Sequence, residues 1–159
     1  MSMTVLTRQS YKCAQEKVKS VSDDLRKISL KVHENPELAW KEHTAHDALV
    51  EYLKGVEGVK IEEFDKYPTA FKATYSKGDG RTFALCSEYD ALPDIGHGCG
   101  HNLIAVCGLG AFLALKEAMD KGHVKGNLVL MGTPAEEGDV GKVCLMNVGA
   151  CKWRRWGIC

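Results

Sequence analysis

Two compact apolar runs, TFALCS at residues 82–87 and NLVLMGT at residues 127–133, bracket a longer one, LIAVCGLGAFLAL at residues 103–115. Short apolar runs bounded by turn residues suit strands buried on both faces, whereas the long run has helical length. Gly108 and Gly110 would let such a helix lie close on a sheet. Strand, helix and strand in that order imply an α/β layered domain, with helices on both faces of an at least partly parallel sheet.

The flanking segments extend this pattern. Residues 22–33 place Leu25, Ile28 and Val32 at helical spacing behind a Ser-Asp-Asp start. Beyond Pro36, a second amphipathic helix is predicted over residues 37–54, with Leu38, Ala45, Leu49 and Leu53 inward. Residues 59–75 read as two strands divided by Pro68, and a further helix is predicted over residues 140–148.

In open α/β sheets, ligands collect beyond the carboxyl ends of the strands. Two segments follow the buried strands there: SEYDALP at residues 87–93 and GTPAEEG at residues 132–138. Between them lies GHGCGHN at residues 96–102, where His97, Cys99 and His101 sit at i, i+2 and i+4. In an extended loop those three side chains would share one side, and thiolate with imidazole suits zinc. A helix starting after His101, capped by Asn102, would favour ionisation of Cys99.

Glu136 and Glu137 are adjacent, an arrangement usual in solvated turns. Behind a strand-ending proline, however, they can diverge, one toward a metal and the other toward the water to be activated. Glu88 and Asp90, at i and i+2, can place a carboxylate behind a metal-binding imidazole. His43 and His46, like His33 and His123, lack an acidic partner at catalytic spacing and read as surface residues.

Bulk properties exclude several classes. Lysine plus arginine equals aspartate plus glutamate at 21 each, so no net field points to nucleic acid or a membrane surface. The apolar run at residues 103–115 is short for a bilayer. The first residues lack a secretory pattern, and seven cysteines is an odd number. The expectation is a reduced, cytoplasmic protein in which Cys13, Cys86, Cys107 and Cys144 serve as small hydrophobes.

HENPELAWKEHTAHDAL, SEYDALPDIGHGCGHNLIA and GTPAEEGDVGKVCLMNVGA, in that order, resemble the zinc-dependent amidohydrolase and dipeptidase family. That family includes hippurate hydrolase, the plant auxin-conjugate hydrolases and aminoacylase-like carboxypeptidases. The likeness is strongest to the branch acting on basic dipeptides such as β-alanyl-lysine. The resemblance implies the catalytic domain of a co-catalytic zinc exopeptidase, with two divalent ions, zinc or manganese. Its substrate would be a small peptide or an N-acyl amino acid.

Carried over, Cys99, His101 and Glu137 resemble metal ligands, Glu136 the catalytic base and Asp90 the supporting catalytic carboxylate; His97 and Glu88 have no assigned role. Family members continue past Ala150 with further histidine ligands and an inserted domain that pairs subunits into homodimers. This chain instead ends in CKWRRWGIC. The expected organisation is therefore residues 1–150 as the N-terminal part of a metallopeptidase catalytic domain and residues 151–159 as a divergent tail. Such a truncated or frame-shifted chain would lack the dimerisation domain and have little turnover of its own. A non-catalytic metal-binding remnant or interaction module is the alternative.

Overall fold

A computed structural model describes residues 8–150, so the expected divergent tail lies outside the described residues. The elements run α1 (Arg8–Ser20), α2 (Ser22–Glu34), α3 (His43–Lys54), β1 (Lys60–Phe64), β2 (Tyr67–Lys77) and β3 (Thr82–Ser87). A 3₁₀ turn (His97–Cys99), α4 (His101–Asp120), β4 (Gly126–Gly132), α5 (Glu136–Asp139) and α6 (Gly141–Asn147) follow. The four strands form one sheet in the order β1-β2-β4-β3. β1 and β4 each pair antiparallel with β2, while β3 and β4 are parallel and joined by the α4 crossover.

Alternation along β4 builds two cores. Leu128 and Leu130 face Leu109, Phe112 and Leu113 of α4, Leu49 and Leu53 of α3, and Ile28 and Val32 of α2. Val129 and Met131 face the other way, toward Ala70, Ala84 and Leu145 of α6. Helices thus cover both faces. By length and hydropathy α4 could cross a membrane, so the short-run argument against a span does not hold. Its packing between sheet and helices makes it a core helix here.

Gly108 explains the close fit, because a Cβ there would come within 2.9 Å of the Cys86 carbonyl oxygen. Gly110 differs from expectation: a Cβ there would meet Leu25 of α2 rather than the sheet. Cys107 on the same helix is exposed, while Cys13 is buried.

Other expectations are corrected by side chains with distant partners. The helix predicted from residue 37 begins at His43, and Leu38 is 43% exposed. The Glu37 carboxylate accepts the Thr44 and Ala45 N–H groups, filling free donors of the first turn of α3. Pro68 lies inside β2, in the irregularity where its pairing with β1 skips residues, so no ladder donor is needed from it. His46 is buried, its ring edge-on to Phe71 at 5.9 Å, rather than on the surface. α1, which the sequence pattern did not announce, packs against α4.

The β3–β4 register positions everything that follows. Ser87 pairs with Gly132, so both strands end level and their following segments start side by side. The Thr133 N–H donates to the Ser87 carbonyl at 2.8 Å, carrying the pairing one residue further. Gly132 is required there, since a Cβ would meet the Phe71 ring at 2.3 Å.

Candidate metal centre

The segment after β3 descends into the interior: Tyr89 and Asp90 are both fully buried. The Tyr89 hydroxyl donates to the Thr69 carbonyl, which fixes the next residue. Asp90 then serves two neighbours. Its Oδ1 lies 3.0 Å from His101 Nδ1, and its Oδ2 accepts the Glu137 backbone N–H at 2.9 Å. One carboxylate therefore ties the start of α4 to the loop after β4. Burial alone would raise its pKa; the bonds from His101 and Glu137 outweigh that and hold it below its usual value.

With Nδ1–H donated to Asp90, His101 keeps a lone pair on Nε2. That atom faces Glu88 Oε2 at 3.3 Å and Glu137 Oε1 at 3.6 Å. The bond to Asp90 raises the His101 pKa despite burial, with the Asp90 and Glu88 charges adding to the effect. Cys99 completes the group: ligand atoms of Cys99, His101 and Glu137 all lie within 4.8 Å of one another.

Thiol, imidazole and carboxylate from three segments, beside further carboxylates, fit a divalent cation. Glu88, Asp90, Glu136 and Glu137 gather here, matched among the described residues by one ammonium, that of Lys142, and the His101 imidazole. Lys142 Nζ pairs with Glu88 and, at 2.7 Å, with Glu136. Burial lowers the Lys142 pKa, but these two carboxylates outweigh it and the net shift is upward. The adjacent glutamates thus part, Glu137 toward the imidazole and Glu136 toward the lysine.

Three details depart from the sequence-based expectations. Residues 97–99 form a tight turn between Gly96 and Gly100, both at positive φ, rather than an extended loop. His97 is not among the three clustered donors and stacks on His33, ring centroids 6.3 Å apart. The first residue of α4 is His101, and Asn102 lies inside the helix donating to Ser29 Oγ, so it is not the cap. Burial raises the Cys99 thiol pKa and the Glu137 charge adds to it, while the His101 N–H at the start of α4 acts the other way.

Sequence reasoning missed Lys142 and Glu42. A lone lysine carries no motif. Glu42 is fully buried, accepting the Ala135 N–H and the Thr69 hydroxyl, both at 2.9 Å. Burial pushes its pKa up against those bonds.

Residues 84–155 match the family described as Peptidase family M20/M25/M40. The chain is 34% identical over 148 residues to the Xaa-Arg dipeptidase of Mus musculus, covering 86% of this chain and 34% of that protein. It is 33% identical over 136 residues to thermostable carboxypeptidase 2 of Saccharolobus solfataricus, covering 76% and 34%. Its fold matches a dinuclear metal-binding peptidase of the M20 family from Bacillus subtilis with a TM-score of 0.69 and 23% identity, covering 83% and 40%. The chain thus spans about a third of the length of the curated relatives it matches.

Proposed function

We propose that this relative of peptidase family M20/M25/M40 carries the amino-terminal half-site of a metal-dependent hydrolase of dipeptides or N-acyl amino acids. The observation carrying this reading is the meeting of Cys99, His101 and Glu137 where the parallel strands β3 and β4 end level. The names of the relatives, a dipeptidase and a carboxypeptidase among them, supply the substrate class.

Cys99, His101 and Glu137 would hold a divalent ion, zinc or manganese, and in the whole protein a second ion is expected beside it. When bound, such an ion polarises the substrate carbonyl and makes water more acidic. The chain's own residues do the remainder. Asp90 fixes the imidazole tautomer that leaves Nε2 free. Glu136, aimed by its pairing with Lys142, takes the water proton and hands it to the leaving amine.

Residues 1–150 act as the N-terminal part of a catalytic domain in a cytoplasmic protein, and residues 151–159 as a tail outside it. A homodimer is proposed for the whole protein only. Assayed on its own, the chain is proposed to bind metal through these three donors with little turnover.

Purified chain loaded with zinc or manganese should show chelator-reversible metal uptake and at most slow hydrolysis of basic dipeptides and N-acyl amino acids. Cys99→Ser with unchanged metal content would remove Cys99 from the site, and brisk chelator-sensitive hydrolysis would refute the claim of low turnover. Metal uptake lost in Cys99→Ser, with no hydrolysis by any longer form of the protein, would favour the non-catalytic module instead.

A further inference from the structure

Residues 36–42, between α2 and α3, touch both strand-end segments of the metal centre. The Ala91 N–H, next to Asp90, donates to the Glu37 carbonyl at 2.8 Å. Trp40 Nε1–H donates to Asp139 Oδ2 at 2.7 Å, with its ring stacked on Tyr67 at 4.7 Å. Glu42 Oε1 accepts from Ala135 N, directly before the Glu136–Glu137 pair. Ala39 sits against Gly138, where a Cβ would come within 3.3 Å.

Backbone strain concentrates at this junction. Trp40 has φ 64° and Ala135 φ 59°, left-handed conformations uncommon for side chains other than glycine. Such conformations persist only where surrounding bonds impose them. Here each is held through a bond that crosses between residues 37–42 and the segment after β4: Trp40 by its side chain to Asp139, Ala135 by its N–H to Glu42. The fully buried carboxylate of Glu42 has no role in covering apolar surface, and its second acceptor is used by Thr69 on β2.

We propose that residues 37–42 form a positioning strap in which Glu42, acting through Ala135, sets where Glu137 stands relative to Cys99 and His101. The strap adds no ligand. It fixes the loop conformation in advance, so that the carboxylate is in place before a cation arrives. The inference rests on the metal reading of that site.

The test uses the whole 159-residue chain and cobalt(II) as probe. Its thiolate-to-cobalt absorption reports binding at Cys99, and thermal melting of the metal-free chain reports fold. Glu42→Ala weakens cobalt binding about tenfold or more, as loss of a partner outside the ligand set does. Glu42→Gln, whose carbonyl can still accept from Ala135 while its amide faces the Thr69 oxygen, restores affinity to within about threefold. Trp40→Phe keeps the ring stacked, loses the Asp139 bond and weakens binding by roughly threefold. Thr69→Val, which removes the partner of Glu42 on β2 and leaves Ala135 served, changes affinity less than about twofold.

Wild-type affinity in both folded Glu42→Ala and Trp40→Phe overturns the strap, as does a Thr69→Val loss equal to that of Glu42→Ala. If Glu42→Ala does not fold, the contrast between Trp40→Phe and Thr69→Val decides: a loss confined to Trp40→Phe supports the strap, and equal affinities overturn it. A wild-type chain that takes up no cobalt sinks the metal reading itself, and the strap with it.

Discussion

At one end of the sheet Asp120 lies among Lys77, Lys116 and Tyr75; at the other, Glu88, Asp90, Glu136 and Glu137 surround one lysine and one imidazole. In the first cluster one carboxylate faces two ammoniums and a phenol. Burial would raise Asp120, but bonds from Lys116, Tyr75 and Lys77 outweigh it and hold the carboxyl at about 2. The Tyr75 phenol, donating to that carboxylate, is pushed up to about 12. Among the described residues the second cluster has more anions than cations, and it draws its donors from three separate segments. A surface carboxylate already held by two ammoniums is complete as it stands, whereas carboxylates gathered around the fully buried Asp90 are stabilised by a further positive charge.

Substitutions at the two ends should therefore diverge. The largest effect is expected from His101→Ala, which removes a central donor and should lower zinc or cobalt affinity on the order of a hundredfold or more, measured by competition with a chelating dye. Asp90→Asn keeps the shape but weakens the hold on Nδ1, and a loss of about 10- to 100-fold is expected in the same titration. Lys142→Met should act in the opposite sense. Freed of its ammonium, Glu136 and Glu88 attract a cation more strongly, and affinity should rise by a few-fold, roughly 0.5–1 kcal/mol; an unchanged or weaker affinity would show that the lysine aids rather than competes.

The smallest effect belongs to the Asp120 end. Asp120→Asn should leave metal uptake untouched and cost less than about 1 kcal/mol, because the cluster is largely solvated. A folded-state pKa below the unfolded one contributes stability above the unfolded value and loses it as pH falls through the folded value. In Asp120 that loss runs from 3.8 down through about 2. Acid titration followed by circular dichroism should accordingly show a shallower decline for the variant in that window. A metal defect in Asp120→Asn would erase the distinction between the two ends.

What could be read from sequence divides along the same physical line. β3, α4 and β4 were legible because local apolar runs report burial directly, and Cys99, His101 and the two glutamates stood out by their spacing. His97 misled because glycines on either side of its turn break the alternation that an extended loop would impose. At Cys99 burial and the Glu137 charge act against the lowering by the His101 N–H at the start of α4, two opposing influences that its spacing in the motif does not reveal. Residues 37–42 have helical composition, yet Glu37 spends its carboxylate on the first turn of α3, and Glu42 spends its own on Thr69 and Ala135, which no local window contains. Lys142 was silent for the same reason: its meaning lies in Glu88, 54 positions away.

The flush ending of β3 and β4 makes the ladder itself the gauge of the donor spacing. Deleting a single residue within β4 would draw Glu137 along the strand axis by about 3.3 Å and exchange inward for outward at every position before the next irregularity. Length changes in this molecule should thus be tolerated at the Gly78–Gly80 bend and the hairpin at Asp65, but hardly at all in the two strands whose tips hold the acids.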